Sequence, residues 1–273
     1  MTHPLSRSFP GLALRAGGAT PISRSLPEEV PVAIVCNGTT QAVMMASPGD
    51  IRDFAHGFAL TEGLVAGLEE IEDFEEVASG EGIEARLWLR EDRAQALAAR
   101  RRRMAGPVGC GLCGIESLEE ANRPAPRVPE PGFTFGRFEL AGATDALRAH
   151  QALHALTGAT HAAGFLAPGE GVVEAREDVG RHNALDKLIG ALALRGADMG
   201  AGAFVLTSRI SVELVQKCAM AGCPMLVAVS APTAHALRVA EAAGITLVAF
   251  ARQGGFDVFS HPERIKTEAT DVA

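Results

Sequence analysis

"GAFVLTSRISVELVQKCAMAGCPMLVAVS", residues Gly202 to Ser230, decides the fold. Two apolar runs, "GAFVLTS" and "PMLVAVS", flank the helical stretch "ISVELVQKCAMAG". Each run is continuous rather than alternating, as in strands with both faces covered. A strand, a helix of this length and a second strand form a βαβ crossover, which predicts a largely parallel sheet. Downstream, the helix "TAHALRVAEAAG" and the strand "ITLVAFA" continue the pattern to Ala251. Upstream it starts with one helix, "TDALRAHQALHALTG". Two strands follow in "HAAGFLAPGEGVVEAREDV", parted by a Pro-Gly-Glu-Gly turn, and then the helix "GRHNALDKLIGALALRG". The expected fold class is α/β, with the order α-β-β-α-β-α-β-α-β in a domain at 133–273.

Before it, residues 27–105 read as a smaller α+β domain. "VPVAIVCNGTTQAVMMAS" places two β-branched runs around Asn37-Gly38, the preferred pair for a two-residue hairpin turn. In "SPGDIRDFAHGFALTEGL", Ser47 is the expected N-cap and Pro48 the first helical residue, with Ile51, Phe54, Ala55, Phe58 and Ala59 at helical spacing. Two short strands, "FEEVAS" and "IEARLWL", and a helix ending in Arg100 to Arg103 complete the unit. Residues 1–26 read as a loose, flexible leader, and the Gly- and Pro-rich stretch 106–132 as a loop.

A chain of 273 residues, 47% hydrophobic and 21% charged, belongs with soluble globular proteins. Its net charge of −8 argues against a nucleic-acid backbone as partner. No run approaches the ~18 apolar residues of a membrane span, and the first residues lack the apolar core of a signal peptide. Five cysteines, an odd number, do not make a disulfide framework. The expectation is a cytoplasmic protein whose thiols serve chemistry.

In an open α/β sheet, ligands bind beyond the carboxyl ends of the strands. Polar residues collect there: Asp178, Gly180, Arg181, His182 and Asn183 after one strand, Thr207, Ser208, Arg209 and Ser211 after the next. Ser230 and Thr233 follow the fourth, and Arg252, Gln253, Gly254 and Gly255 the fifth. Three of these segments open helices, whose free N–H groups favour anions. Arg181, Arg209 and Arg252 add guanidiniums that match phosphate. Taken singly, each Ser or Thr is an ordinary cap and each Arg a surface charge; their convergence on one edge points to a phosphate-bearing ligand such as a nucleotide.

Cys110 and Cys113 lie in "GPVGCGLCGIESLEE", two residues apart among glycines. A disulfide does not suit a reducing compartment, and a thioredoxin-like pair belongs directly after a strand. A zinc site needs two further ligands, and only Cys218 and Cys223 offer themselves, in a segment that reads as buried helix end. A sulfur carrier fits better: a thiolate on a mobile arm, with a second thiol close enough to attack its persulfide and release sulfide.

The stretches "CGLCGIESL", "EDVGRHNALDKLIG", "SRISVELVQK", "AVSAPT" and "ITLVAFARQGGFDVFSHPERI", with the N-terminal "PGDIRDFAHGFALTEGLV", resemble the FdhD family of formate dehydrogenase accessory sulfurtransferases. The resemblance covers nearly all of the chain beyond residue 26. It implies that a cysteine desulfurase passes sulfane sulfur to Cys110 as a persulfide, with Cys113 its partner. The sulfur then goes to a molybdenum (or tungsten) bis(molybdopterin guanine dinucleotide) cofactor destined for formate dehydrogenase. That cofactor is a bound acceptor, with no permanently bound cofactor or metal implied. By the same resemblance, Phe250, Ala251, Arg252, Gln253, Gly254 and Gly255 match the cofactor-binding segment, the larger domain has a cytidine-deaminase-like α/β/α fold, and members are homodimers. Two alternatives remain in view. A zinc deaminase needs His-x-Glu and Pro-Cys-x-x-Cys, but His182-Asn183-Ala184 and Ser208-Arg209-Ile210-Ser211 stand at those positions. A chaperone that merely holds the cofactor would survive Cys110→Ala.

Overall fold

A computed structural model describes residues 3–80, 82–104 and 125–266, without side chains for 98–104. Cys110, Cys113 and most of the expected loop lie outside the described residues.

The chain opens with a hairpin, β1 (Ser6–Arg15) and β2 (Gly18–Pro27), paired over ten positions. This replaces the loose leader expected at 1–26. Almost every residue of the hairpin faces solvent, so its sequence carries no apolar alternation to betray it. A four-stranded sheet follows in the spatial order β4-β3-β6-β5, from β3 (Val30–Cys36), β4 (Thr39–Ala46), β5 (Ile71–Ser79) and β6 (Gly82–Leu89). Asn37 and Gly38 both take left-handed φ, 46° and 74°, as the β3–β4 turn requires. The Asn37 amide also exchanges hydrogen bonds with the Leu89 backbone (2.8 and 3.0 Å), fixing the turn to β6.

Helix α1 (Ile51–Thr61) covers the inner face of this sheet with Ile51, Phe54, Ala55 and Phe58. It starts three residues later than expected, after Asp50 in the left-handed region (φ 55°). Ser47 is not its cap, because both its amide and its hydroxyl are engaged by the larger domain. Helix α2 (Glu91–Met104) adds Leu97 to the same core.

The larger domain is built on a six-stranded sheet in the order β13-β12-β11-β10-β8-β9. Its strands are β8 (His161–Ala167), β9 (Gly171–Asp178), β10 (Ala203–Leu206), β11 (Met225–Ala228), β12 (Thr246–Arg252) and β13 (Gly255–Val258). The α/β class holds, but the sheet is mixed rather than largely parallel. Only β10–β11 and β11–β12 pair in parallel; β8–β9, β8–β10 and β12–β13 are antiparallel. Helical crossovers impose parallel pairing only where α6 (Val212–Met220) and α7 (Ala234–Ala243) connect the strands.

Side chains of the central strands alternate between two cores. Phe204, Leu206, Leu226, Ala228 and Leu247 pack with α5 (Arg181–Leu194), α6 and α7. Val205, Met225, Val227 and Val248 pack with α3 (Arg137–Arg148) on the other face. The single helix expected at 144–158 is two, α3 and α4 (Ala152–Thr157), with the chain turning between them at Ala149–Gln151. A two-stranded parallel pair joins β7 (Phe135–Gly136) to β14 (Ile265–Lys266).

The smaller domain is seated on α5. Gly57 of α1 and Gly190 of α5 let the two backbones touch: a Cβ on either would fall 1.8 Å from a carbonyl oxygen of the other helix. Charges cross the same joint. Lys187, fully buried, meets Asp178 at 2.7 Å and donates to the Ser47 carbonyl at 2.9 Å. Lys217 donates to Asp186, Glu62 and the Thr61 hydroxyl at 2.7 to 3.0 Å. Among the described residues no helix is long and apolar enough to cross a membrane.

Candidate functional site

Strands β9, β10, β11 and β12 all run in one direction, because β9 is antiparallel to β8 and β8 antiparallel to β10. Their carboxyl ends, and the first turns of α5, α6 and α7, therefore share one edge. The structure brings most of the expected residues to this edge, but uses them in different ways.

Asp178 ends β9 and is fully buried. Its carboxylate accepts from Lys187, the Ser47 and Gly180 amides and the Asn183 side chain, leaving no oxygen for a ligand. Asn183, also buried, donates a second time to the Met45 carbonyl at 2.8 Å. The Ser47 hydroxyl accepts from the Val179 amide at 3.1 Å. These residues pin the end of β4 against the start of α5, so part of the wall of the edge comes from the smaller domain.

Arg181, His182 and His161 are the groups left facing outward. The Arg181 Nε is buried and has no hydrogen-bond partner among the described residues. Burial, then the Arg181 guanidinium and the Lys217 ammonium, push the His182 imidazole down to about 4, with Glu213 and Glu62 opposing. His161 is lowered too, by burial first and then by Arg181 and His154. Two imidazoles of lowered pKa thus flank a guanidinium whose charge also reaches the Glu213 carboxylate, at the amino end of a fourteen-residue helix. Such a cluster suits an anion, and phosphate oxygens above all.

The His182 Nε2 lies 3.2 Å from the Ser211 hydroxyl and 3.9 Å from Glu213. Burial works against the Glu213 carboxylate, but hydrogen bonds from Ser211 and from its own backbone hold it below its ordinary value. Four residues further along each helix sits the Asp186–Lys217 pair. Burial raises the Asp186 carboxyl to about 6, and the neighbouring Glu62 adds to this against the attraction of Lys217. Burial alone would lower Lys217; Asp186 and Glu62 together hold it above its usual value. Two carboxylates thus share one ammonium beneath the edge. Sequence reasoning missed this pair, although "ALDKLI" and "ELVQK" do place charges inside otherwise apolar helix stretches.

Ser208 is buried and its hydroxyl donates to the Arg209 carbonyl, whereas the Arg209 side chain is exposed. Thr233 caps α7, accepting from the Ala236 amide at 3.1 Å. The segment beyond the fifth strand is a hairpin. Arg252 pairs with Gly255 around Gln253 and Gly254, both at left-handed φ (54° and 76°). Strand β13 was not foreseen; the Gln-Gly-Gly turn before "FDVF" was the available signal. Phe250 stands on a bulge with φ 53°, a costly conformation for a bulky residue, and its amide reaches the Ser230 carbonyl at 3.5 Å. Its ring lies 6.3 Å from that of Phe259, and both are exposed. Ala251 is buried, its carbonyl accepting from the Thr144 hydroxyl at 2.6 Å.

The remaining cysteines are inward. Cys36, Cys218 and Cys223 are buried. Cys218 and Cys223 take the two positions of a Schellman helix end, with Cys223 N–H donating to Cys218 O and Gly222 N–H to Ala219 O. Burial, then the adjoining Cys223 thiol, pushes the Cys218 thiol far up, so it stays protonated and inert. Among the described residues no three His, Cys, Asp or Glu side chains are grouped to hold a metal ion.

A family model described as the FdhD/NarQ family matches residues 27–266. A protein of Brucella abortus named Sulfur carrier protein FdhD is 54% identical over 261 residues, covering 96% of this chain and 97% of its own. Its namesake in Agrobacterium fabrum is 51% identical over 253 residues, 93% of each chain. A crystal structure from Desulfotalea psychrophila, described as that of a formate dehydrogenase accessory protein, superposes with a TM-score of 0.77 at 26% identity, over 96% of this chain and 100% of that one.

Proposed function

Since the chain belongs to the FdhD/NarQ family, we propose that it is a cytoplasmic sulfurtransferase serving formate dehydrogenase. It takes sulfane sulfur from a cysteine desulfurase and hands it to a molybdenum or tungsten bis(molybdopterin guanine dinucleotide) cofactor, which is its substrate rather than a resident group. The observation that carries this reading is the placement of the thiols. Three of the five cysteines are sealed in the two cores, which leaves Cys110 and Cys113 to do the chemistry.

Cys110 thiolate attacks the outer sulfur of the donor persulfide. The donor leaves as its own thiolate, and Cys110 now carries S–SH. Cys113 thiolate then attacks the inner sulfur of Cys110, forming the Cys110–Cys113 disulfide and expelling hydrosulfide at the acceptor. An external dithiol reduces the disulfide for the next round. The phosphate-rich guanine nucleotide arms of the acceptor suit the edge at Arg181, with Arg209 and Arg252 following other strands of the same edge and Phe250 to Gly255 as a rim; Ser208 and Ser230 stay backbone supports. Asp178 and Asn183 act through the wall they hold.

Peptide mapping by mass spectrometry, after incubation with a cysteine desulfurase and cysteine, tests this. Sulfur on Cys110, lost in Cys110→Ala and accumulating in Cys113→Ala, is the expected result. Full maturation of formate dehydrogenase by Cys110→Ala would leave only a holder of the cofactor.

A further inference from the structure

The Asn37-Gly38 turn carries chemistry of its own. Of the chain's three asparagines, Asn37, Asn122 and Asn183, only Asn37 precedes a glycine. Glycine has no side chain to hinder its amide nitrogen, and nothing lies within 4 Å of the place a Gly38 Cβ would take. In such a pair the glycine nitrogen attacks the carbonyl carbon of the preceding side chain. The side-chain nitrogen leaves as ammonia, taking the glycine amide proton, and a cyclic imide remains. Water then opens the imide at either carbonyl, giving aspartate or isoaspartate, with nothing oxidised or reduced.

The fold holds this reaction back. Asn37 donates through Nδ2 to the Leu89 carbonyl at 3.0 Å and accepts at Oδ1 from the Leu89 amide at 2.8 Å. Its backbone amide donates to the Leu87 carbonyl at 3.0 Å. A carboxamide held at both atoms is not free to turn onto the Gly38 nitrogen. The same clasp prolongs the parallel pairing of β3 with β6, whose last partners are Cys36 and Leu87. A carboxylate at position 37 has no proton for the Leu89 carbonyl, so two acceptors would face each other there. An isoaspartate adds a methylene to the main chain of a turn closed by Cys36 opposite Thr39. Asn183, by contrast, is buried in α5, gives its side-chain protons to Met45 and Asp178, and precedes an alanine.

We propose that Asn37 is a gated deamidation site: ring closure waits on release of the side chain from Leu89, and the product cannot re-form both bonds. Each opening of the turn exposes the pair to an irreversible step. The smaller domain therefore ages in one direction, losing the latch between its β3–β4 turn and β6. This inference does not rest on the sulfur-carrier reading.

Peptide mapping of the full chain tests it, with aspartate and isoaspartate at position 37 separated from asparagine by chromatography and mass. In neutral buffer Asn37 should convert roughly ten- to a hundredfold more slowly than in denaturing urea at the same pH, the worth of two hydrogen bonds. Urea below the unfolding transition should already raise the rate, because a local opening precedes global unfolding. Asn37→Asp, at an exposed position, should unfold at lower urea than the unaltered protein. Equal rates in buffer and in denaturing urea would mean that the clasp guards nothing. No conversion in urea would remove the site itself, and an Asn37→Asp variant as stable as its parent would remove the latch; each of the three overturns the proposal.

Discussion

Replacing Gly190 by alanine tests whether the two domains are joined by backbone contact. Alanine is worth about 1 kcal/mol over glycine in a helix interior, so propensity alone predicts stabilisation. Against it, the new Cβ would stand 1.8 Å from the Asp53 carbonyl oxygen and 2.8 Å from the Gly57 amide nitrogen. Both are backbone atoms that cannot swing aside. Restoring ordinary contact means parting α1 and α5 by about 1.5 Å, and a gap of half to one ångström already forfeits a quarter to a half of each dispersion contact. Overpacking of this kind costs about 1–3 kcal/mol or more. The parting would also stretch the Lys217 bonds to Thr61 and Glu62, so the upper end applies, and Gly190→Ala should destabilise by about 2 kcal/mol net. Gly57→Ala faces the Asp186 carbonyl at the same 1.8 Å and should behave alike. Gly142 in α3 is the control, with nothing within 4 Å of its missing Cβ. There the same substitution should stabilise by about 0.5–1 kcal/mol. Urea denaturation followed by circular dichroism reads all three. The double variant Gly57→Ala/Gly190→Ala should cost well under the sum, since one separation relieves both clashes. If Gly57→Ala and Gly190→Ala stabilise as much as Gly142→Ala does, the close crossing is wrong.

Further outcomes follow from the charges and caps. Lys217→Met leaves the buried Asp186 without its cation and should cost about 3–5 kcal/mol; pairing it with Asp186→Leu should recover most of that, as urea midpoints would report. With His182 near 4 in the folded state and 6.5 unfolded, the unfolded chain binds more protons between those values. Stability at this residue is therefore present above pH 6.5 and lost as pH falls toward 4, by at most about 3 kcal/mol. Asp186, raised to about 6, works the other way: its contribution is present at low pH and lost as pH rises through 6. His182→Gln should flatten the loss of stability toward acid and Asp186→Asn should remove the opposing trend, both measurable by melting temperature from pH 4 to 7. Thr233→Ala should cost about 1 kcal/mol through the lost cap on α7, with little change in sulfur transfer.

The central strands were legible because Phe204–Leu206 and Met225–Ala228 are buried on both faces, which leaves an unbroken apolar run in the sequence. Asn37-Gly38 was legible because few residues accept the backbone it adopts. The opening hairpin was not, since a strand pair with no buried face writes no period. Ser47 looked like a cap because local reasoning cannot foresee a partner 131 residues away, where Asp178 takes its amide. Burial of Lys187 and Lys217 was hidden for the same reason: a charge inside a helix is ordinary on a surface, and only the tertiary partner makes it otherwise. The edge itself was found by strand order, but strand order could not tell that Asp178 is consumed internally while the Arg181 Nε finds no hydrogen-bond partner among the described residues.

The joint between the domains also has a history within each molecule's synthesis. Thr61 and Glu62 leave the ribosome long before Lys217, and at about 5–20 residues per second the wait is on the order of ten to thirty seconds. Until then the polar groups of the first domain keep their water, and the first turn of α1 has no glycine to rest against. The wall at Met45–Ser47 cannot be pinned before Asp178 and Lys187 have emerged. A nascent chain therefore offers no finished edge to any ligand until nearly the whole polypeptide is made.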